Sequence, residues 1–379
     1  MRRVVETFSA AALALSGGTL LLNLLCFRRP DGVLPGDPPF ISVLVPARNE
    51  ERNIEACLRS LLAQDYPTFE VVVLDDHSED RTSEMLQRIA REHPHSRFTI
   101  RRGSTLPPDW GGKNWACHQL AGLADSRSRY LLFTDADTVH APDVLRRVVA
   151  EAERDRLALL SLMPEQQVES WGERLVVPLL ALQILGYLPL AAVEWLPIPA
   201  FAAANGQFMF FRREVYDSFG GHSAYPLGLA EDVILAQRVK VERGRVRLAN
   251  GATLVRCRMY RNLGEVLAGF RRSFAGGFRF GATISGFMLL FNVVAYWLPF
   301  VGLPFSRLAR PLSGSIILLR MALAWHTRTP KLAVLAHPVG MTMLLWAQLL
   351  AVYDAFIGGE TRWKGRRYGY RTGIYRKEG

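Results

Sequence analysis

The chain has 379 residues, 49% of them hydrophobic, and carries a formal net charge of +11. A basic balance points to nucleic acid or to an anionic membrane. The apolar residues gather at the two ends with arginines flanking them, which favours the membrane and argues against a nucleic-acid partner.

No charge interrupts the run from Thr7 to Phe27, long enough to cross a bilayer core of roughly 30 Å at about 1.5 Å per residue. Arg2 and Arg3 would suit a signal peptide, but the run is long for one and no small-residue cleavage site follows. Arg28 and Arg29 close it like a membrane stop, so residues 1–29 read as a retained anchor. "DGVLPGDPPF" (Asp31 to Phe40) is a linker, and a single domain is expected over residues 38–280.

Within it, strand and helix patterns alternate. "ISVLVP", "EVVVLDD", "RFTIRR", "YLLFTDAD" and "LALLSLM" read as strands, and residues 50–64, 79–93, 114–124 and 141–153 as amphipathic helices. This alternation predicts an α/β fold with a mostly parallel sheet and helices on both faces, with ligands bound at the carboxyl ends of the strands. The apolar stretch from Glu173 to Pro199 contains Pro178 and Pro189. As a span it would separate the segments on either side of it, so an interfacial or core helix is expected, a ramp for a membrane-borne acceptor.

Residues 281–358 are expected to form two spans (Ile284 to Leu303 and Leu332 to Gly358) with an interfacial helix between them, since Ser315 to Lys331 holds Arg320 and His326. Two spans return the basic tail, residues 359–379, to the side of the central domain. The positive-inside rule then places both in the cytoplasm of a multi-pass cell-membrane protein. Arg2 and Arg3 oppose that orientation of the N-terminus. Cys26, Cys57, Cys117 and Cys257 show no metal-like spacing and read as reduced structural thiols.

The strand ends carry the chemistry. "PARNE", "DDHSED" and "DAD" follow three of the strands and should converge on one edge. Neither G-x-G-x-x-G nor a P-loop is present among them, so a nucleotide must be held by other means. Asp135 and Asp137, one residue apart, suit Mg²⁺ or Mn²⁺ bridging to a diphosphate, or else an acidic turn with Asp137 capping the next helix. Asp75, Asp76 and Asp80 can accept from a nucleoside or cap a helix. Lys113 in "PPDWGGKNWA" can meet a phosphate or stand solvated. Glu231 and Asp232 open an amphipathic helix, where the dipole favours carboxylates in any case.

The ordered set P-A-R-N-E, D-D, G-K-x-W, D-x-D, N-G-Q and E-D over residues 40–280 resembles the inverting family 2 glycosyltransferases with a GT-A fold. "PPDWGGKNWA", the terminal apolar segments and "WKGRRY" are similar to the membrane members associated with hopanoids and carotenoids. The resemblance implies that Pro46, Ala47, Arg48, Glu50 and Asp76 hold a uridine-like nucleoside, with Lys113 near the donor. It implies that Asp135 and Asp137 bind the divalent cation and diphosphate. It further implies that Asn205, Gly206, Gln207 and Glu231 line the acceptor side and that Asp232 is the base. The expected reaction is transfer of a single sugar from a nucleotide diphosphate-sugar to a lipid or isoprenoid acceptor. Processive members carry Q-x-x-R-W; here "GFRRSFAGG" (Gly269 to Gly277) stands at that distance, which disfavours polymer synthesis. Trp363 and Arg366 are expected to cover the donor site instead. A silent nucleotide-sugar-binding membrane protein would need the "DAD" and "DDHSED" groups but no base at Asp232.

Overall fold

β-branched and aromatic runs build the sheet that positions everything else. The computed structural model describes residues 2–94, 97–227, 230–276, 282–357, 360–364, 366–369 and 375–376. Eight strands, β1 (Ile41–Ala47), β2 (Phe69–Asp75), β3 (Phe98–Arg102), β4 (Tyr130–Thr134), β5 (Thr138–His140), β6 (Leu159–Gln166), β7 (Phe208–Arg212) and β8 (Val246–Cys257), are ordered β3-β2-β1-β4-β7-β6-β8-β5. The first four strands in that order are parallel, as are β6 and β8, whereas β7 and β5 run against their neighbours. The alternation did not foretell the reversal of β7, because a strand buried on both faces reads the same in either direction. Its consequence is functional: the start of β7, not its end, meets the carboxyl end of β4.

Val43 and Val45 face one core and Leu44 the other, all fully buried. Each such side chain withdrawn from water contributes about 1.5–3 kcal/mol. Among the described residues there are fourteen α-helices: α1 (Arg2–Cys26), α2 (Ile54–Leu62), α3 (Thr82–Glu92), α4 (Gly112–Leu123), α5 (Val144–Arg154), α6 (Trp171–Tyr187), α7 (Leu190–Trp195), α8 (Arg213–Ser218), α9 (Glu231–Val241), α10 (Leu263–Gly276), α11 (Ala282–Asn292), α12 (Leu298–Val301), α13 (Ala309–Thr327) and α14 (His337–Ile357). On one face, residues of α2, α3 and α5 pack on the sheet; α4, α6 and α9 cover the other, joined there by α10 and α14.

The expected helix beyond Glu173 is α6. It starts at a capping box, in which Ser170 Oγ accepts from Glu173 N and Glu173 accepts from Ser170 N. It runs on through buried Pro178 and stops before Pro189.

The N-terminal helix is bound to the rest of the protein. Leu13, Ser16, Leu20 and Asn23 are buried along one stripe, while Leu15, Leu22 and Leu25 on the other sides are exposed. Asn23 Nδ2 donates to the carbonyls of Leu185 and Leu188 at 2.7 and 2.8 Å, and its Oδ1 accepts from Leu190 N at 2.8 Å, so one side chain ties α1 to the junction of α6 and α7.

Among the described residues, one helix, Arg3 to Cys26, is long and apolar enough to cross a membrane. The expected span from Ile284 to Leu303 is divided into α11, a π-helical turn (Val293–Trp297) and α12, leaving an apolar helix of Gly286–Val301 that is shorter than a span. Arg320, assigned from sequence to an interfacial helix, points inward from α13 and donates to His337 Nδ1 at 3.1 Å. The basic tail is structured in part: Glu360–Trp363, Arg366–Gly369 and Tyr375–Arg376 form an antiparallel sheet, β9, β10 and β11.

Candidate active site

Because β2, β1 and β4 are adjacent and parallel, "DDHSED", "PARNE" and "DAD" emerge side by side at one edge. Antiparallel β7 adds the preceding "NGQ": Asp135 N donates to Gln207 O at 3.4 Å and Thr134 Oγ1 to the same carbonyl at 2.8 Å. The N-terminus of α9 completes the ring with Glu231 and Asp232.

Lys113, in the first turn of α4, sits at the centre. Its Nζ lies 2.8 Å from Asp135 Oδ1 and 3.0 Å from Glu231 Oε1. Burial works against its charge, but the two carboxylates outweigh burial and hold its pKa well above the ordinary lysine value. Asp232 Oδ2 accepts from Gly206 N, in the turn before β7, at 3.0 Å, and Oδ1 from Val233 N, a helix-start amide of α9, at 2.8 Å. Burial first, and the Glu231 charge next, push Asp232 up to about 6. Gly206 lies close under these groups: a Cβ there would be 3.3 Å from Lys113 Nζ and 3.5 Å from Glu231 Oε1.

The two aspartates of "DAD" divide their surroundings. Asp135 engages Lys113. Asp137 turns inward toward Cys257, and its Oδ1 is buried without a hydrogen-bond partner among the described residues. Burial, reinforced by the Asp135 charge, pushes Asp137 up to about 7. An orphaned buried carboxylate oxygen is a costly thing to keep. Its position fits a cation that takes two carboxylates and completes its shell with phosphate oxygens and water. No cluster of three metal-ligating side chains occurs among the described residues.

The nucleoside residues assigned from the resemblance lie together on the neighbouring strand ends. Pro46 and Ala47 pair in register with Leu74 and Asp75, and Asp76 N donates to Ala47 O at 2.8 Å. Arg48 donates to the carbonyls of Asp76 and His77 at 2.6 and 2.8 Å. Asp75 and Asp80 cap locally: Asp75 accepts from Ser78 N at 2.9 Å, and Asp80 from Thr82 N at 2.9 Å.

The tail hairpin lies on top of this group. Arg366 donates to both oxygens of Asp76 at 2.5 and 2.9 Å, with both side chains buried. Lys364 Nζ donates to Glu50 Oε1 at 2.7 Å and Asn49 O at 3.1 Å, and its carbonyl accepts from Arg48 Nε at 2.9 Å. The side chain of Trp363 lies outside the described residues. Sequence reasoning missed Lys364, whose signal was a third cation within "WKGRRY". It read Cys257 as a reduced structural thiol without placing it at the site, where its thiol accepts from Gln207 Nε2 at 2.8 Å beside Asp137; the strand pairing of β8 with β6 and β5 brings it there.

A cavity of 670 Å³ opens from these groups. Lys113, Asp135 and Asp232 line one end, and Val177, Ile184, Tyr187, Phe270 and Val352 from α6, α10 and α14 line the remainder.

A parallel strand edge gathering D-x-D, a lysine and a helix-opening E-D pair defines a GT-A-like domain. The chain belongs to glycosyltransferase family 2. The family described as glycosyl transferase family 2 matches residues 42–217, and glycosyl transferase family group 2 matches residues 130–356, more than half of the chain. A beta-monoglucosyldiacylglycerol synthase from Trichormus variabilis is 29% identical over 206 residues, 50% of this chain and 39% of that protein. A 4,4'-diaponeurosporenoate glycosyltransferase from Staphylococcus haemolyticus is 32% identical over 162 residues, 41% of this chain and 40% of that protein. The matches thus span about two fifths of the length of these curated relatives. In three dimensions a mannosyltransferase from Pyrobaculum calidifontis, solved with GDP-Man and Mn²⁺, superimposes with a TM-score of 0.54 at 19% identity, covering 92% of this chain and 99% of that one. That likeness carries the fold.

Proposed function

We propose that this protein is a membrane-bound glycosyltransferase that moves one sugar from a nucleotide diphosphate-sugar, a UDP-sugar by preference, to a lipid hydroxyl or carboxyl with inversion. The observation that carries the reading is the cavity, in which the catalytic groups and a long apolar wall share one space. A soluble acceptor would not call for such a wall. The names of the relatives, a glycolipid synthase and a carotenoid-acid glycosyltransferase, support the same acceptor class.

In this reading Asp232 is the base. The acceptor oxygen forms a bond to the sugar C1 while the bond from C1 to the diphosphate oxygen breaks, and the electron pair leaves with the nucleoside diphosphate. The acceptor proton passes to Asp232. A carboxylate near 6 is ionised at neutral pH yet more basic than a free aspartate, which suits that task. Gly206 N–H and Val233 N–H hold it in place.

Asp135 and Asp137 would hold a divalent cation, which when bound neutralises charge on the leaving diphosphate. Lys113 supplies a further fixed positive charge at this end of the cavity. Arg48, Glu50 and Asp76 would hold the nucleoside with the tail hairpin as its cover, and Asn205 and Gln207 would shape the acceptor side. The domain would face the cytoplasm, anchored by α1.

Replacing Asp232 by Asn tests the assignment. The variant should bind UDP as the native protein does and lose donor turnover by about 10²–10⁴-fold, the usual contribution of a general base. Turnover at the native rate would end the assignment of Asp232.

A further inference from the structure

A second hollow, of 740 Å³, lies where α1 meets the end of α13. Arg28, Arg29, Arg328 and Lys331 line it together with Trp325, and no carboxylate does. None of the four cations forms an ion pair with any described carboxylate. Positive-inside flanking would explain basic residues near the end of a span, but not their convergence, from two segments distant in sequence, around one concavity.

Two further observations point to a ligand. Asn250 fastens the two walls, its N–H donating to Arg28 O at 2.8 Å and its Nδ2 to His326 O at 3.3 Å. Last, Trp325 lines the hollow with its ring exposed, and Leu25, Leu332 and Leu335, close in sequence to the lining residues, are exposed as well, each of the four at least 65% accessible. A soluble anion needs no such apolar side chains, whereas a lipid headgroup arrives with acyl chains that would cover them.

We infer that this hollow binds the phosphate headgroup of an anionic lipid. The partial negative ends of α1 and α13 oppose an anion, at about half a charge each, and four full positive charges outweigh them. Phe27, Asn250 and Thr329 line both this hollow and the catalytic cavity, so the bound headgroup stands beside the apolar route toward Asp232. The inference rests on the membrane reading of α1 but not on sugar transfer.

The test uses the full chain in neutral detergent, titrated with dioctanoyl phosphatidylglycerol or dioctanoyl phosphatidylcholine and followed by native mass spectrometry. The phosphatidylglycerol complex should dominate and should weaken as salt rises toward about 1 M, where screening acts within about 3 Å. The Arg28→Gln, Arg328→Gln, Lys331→Gln triple variant should lose about a hundredfold in affinity, from three cations each contributing about a decade or less. The charge-keeping Arg28→Lys, Arg328→Lys, Lys331→Arg variant should retain binding, which separates charge from a folding defect. Equal binding of the two lipids, or an unaffected Gln variant, would overturn the site. Displacement of the lipid by equimolar inorganic phosphate would overturn the lipid assignment in favour of a soluble anion.

Discussion

Changing Arg366 to Gln should weaken UDP binding while leaving the fold intact. The Asp76–Arg366 pair is bidentate at 2.5 and 2.9 Å, with the side chains 5% and 9% exposed. Two of the roughly four lone-pair positions of Asp76 are used by the guanidinium, which leaves two for a nucleoside donor and fixes the direction in which they point. Glutamine keeps reach but loses charge and the fork. Hydrogen bonds to a charged partner contribute about 1.5–3 kcal/mol, so UDP affinity should fall by roughly ten- to a hundredfold at about 1.4 kcal/mol per decade. The hairpin should stay docked, because Lys364 keeps its bonds to Glu50, Asn49 and Arg48. Isothermal titration with UDP in the presence of Mn²⁺, beside hydrogen exchange over residues 360–369, reads both effects. Lysine at 366, charged but unable to fork, should fall between. UDP binding that is unchanged or tighter in the Gln variant would refute the reasoning, since the hairpin would then compete with the nucleotide rather than cover it.

Other consequences are as direct. If Asp232 must be ionised to act, the rate should rise with pH through about 6 and be about tenfold lower at pH 5 than at pH 7, in a profile that the Asp232→Asn variant lacks. Gly206→Ala forces a methyl group to 3.3 Å from Lys113 Nζ. The ammonium must shift by a few tenths of an ångström, so transfer should drop by a few-fold, roughly 1 kcal/mol or less, by initial-rate assay with UDP binding little changed. Asn23→Ala removes the three hydrogen bonds that tie α1 to the α6–α7 junction. The loss of about 1–3 kcal/mol should appear as a Tm lower by several degrees in a thermal melt with donor affinity preserved.

The strands whose polar ends hold the site were legible because a β-branched run ending in a carboxylate is a local signal, and the parallel order of β2, β1 and β4 follows from helices between them. Lys113 and Asp232 could be singled out from their own residues one by one and were joined only through the resemblance, since Gly206, which separates them, is brought there by β7 entering the sheet in reverse. The tail was legible in part. The resemblance led to an expectation of Trp363 and Arg366 over the donor site, whereas the contact of Lys364 with Glu50 and the bidentate pairing of Arg366 with Asp76 depend on long-range packing that no local pattern displays. The terminal helices posed the opposite difficulty: apolar composition suggests spans, while Asn23, Arg320 and His337 carry inward contacts that composition cannot display.

The central claim, one sugar delivered to a lipid, is tested most directly by incubating the full chain in lipid vesicles with radiolabelled UDP-sugars and a membrane lipid extract, then partitioning the products. Label should enter the organic phase in a divalent-cation-dependent way, as a product bearing one sugar of inverted anomeric configuration. Label confined to the aqueous phase as free sugar or as polymer would contradict the account.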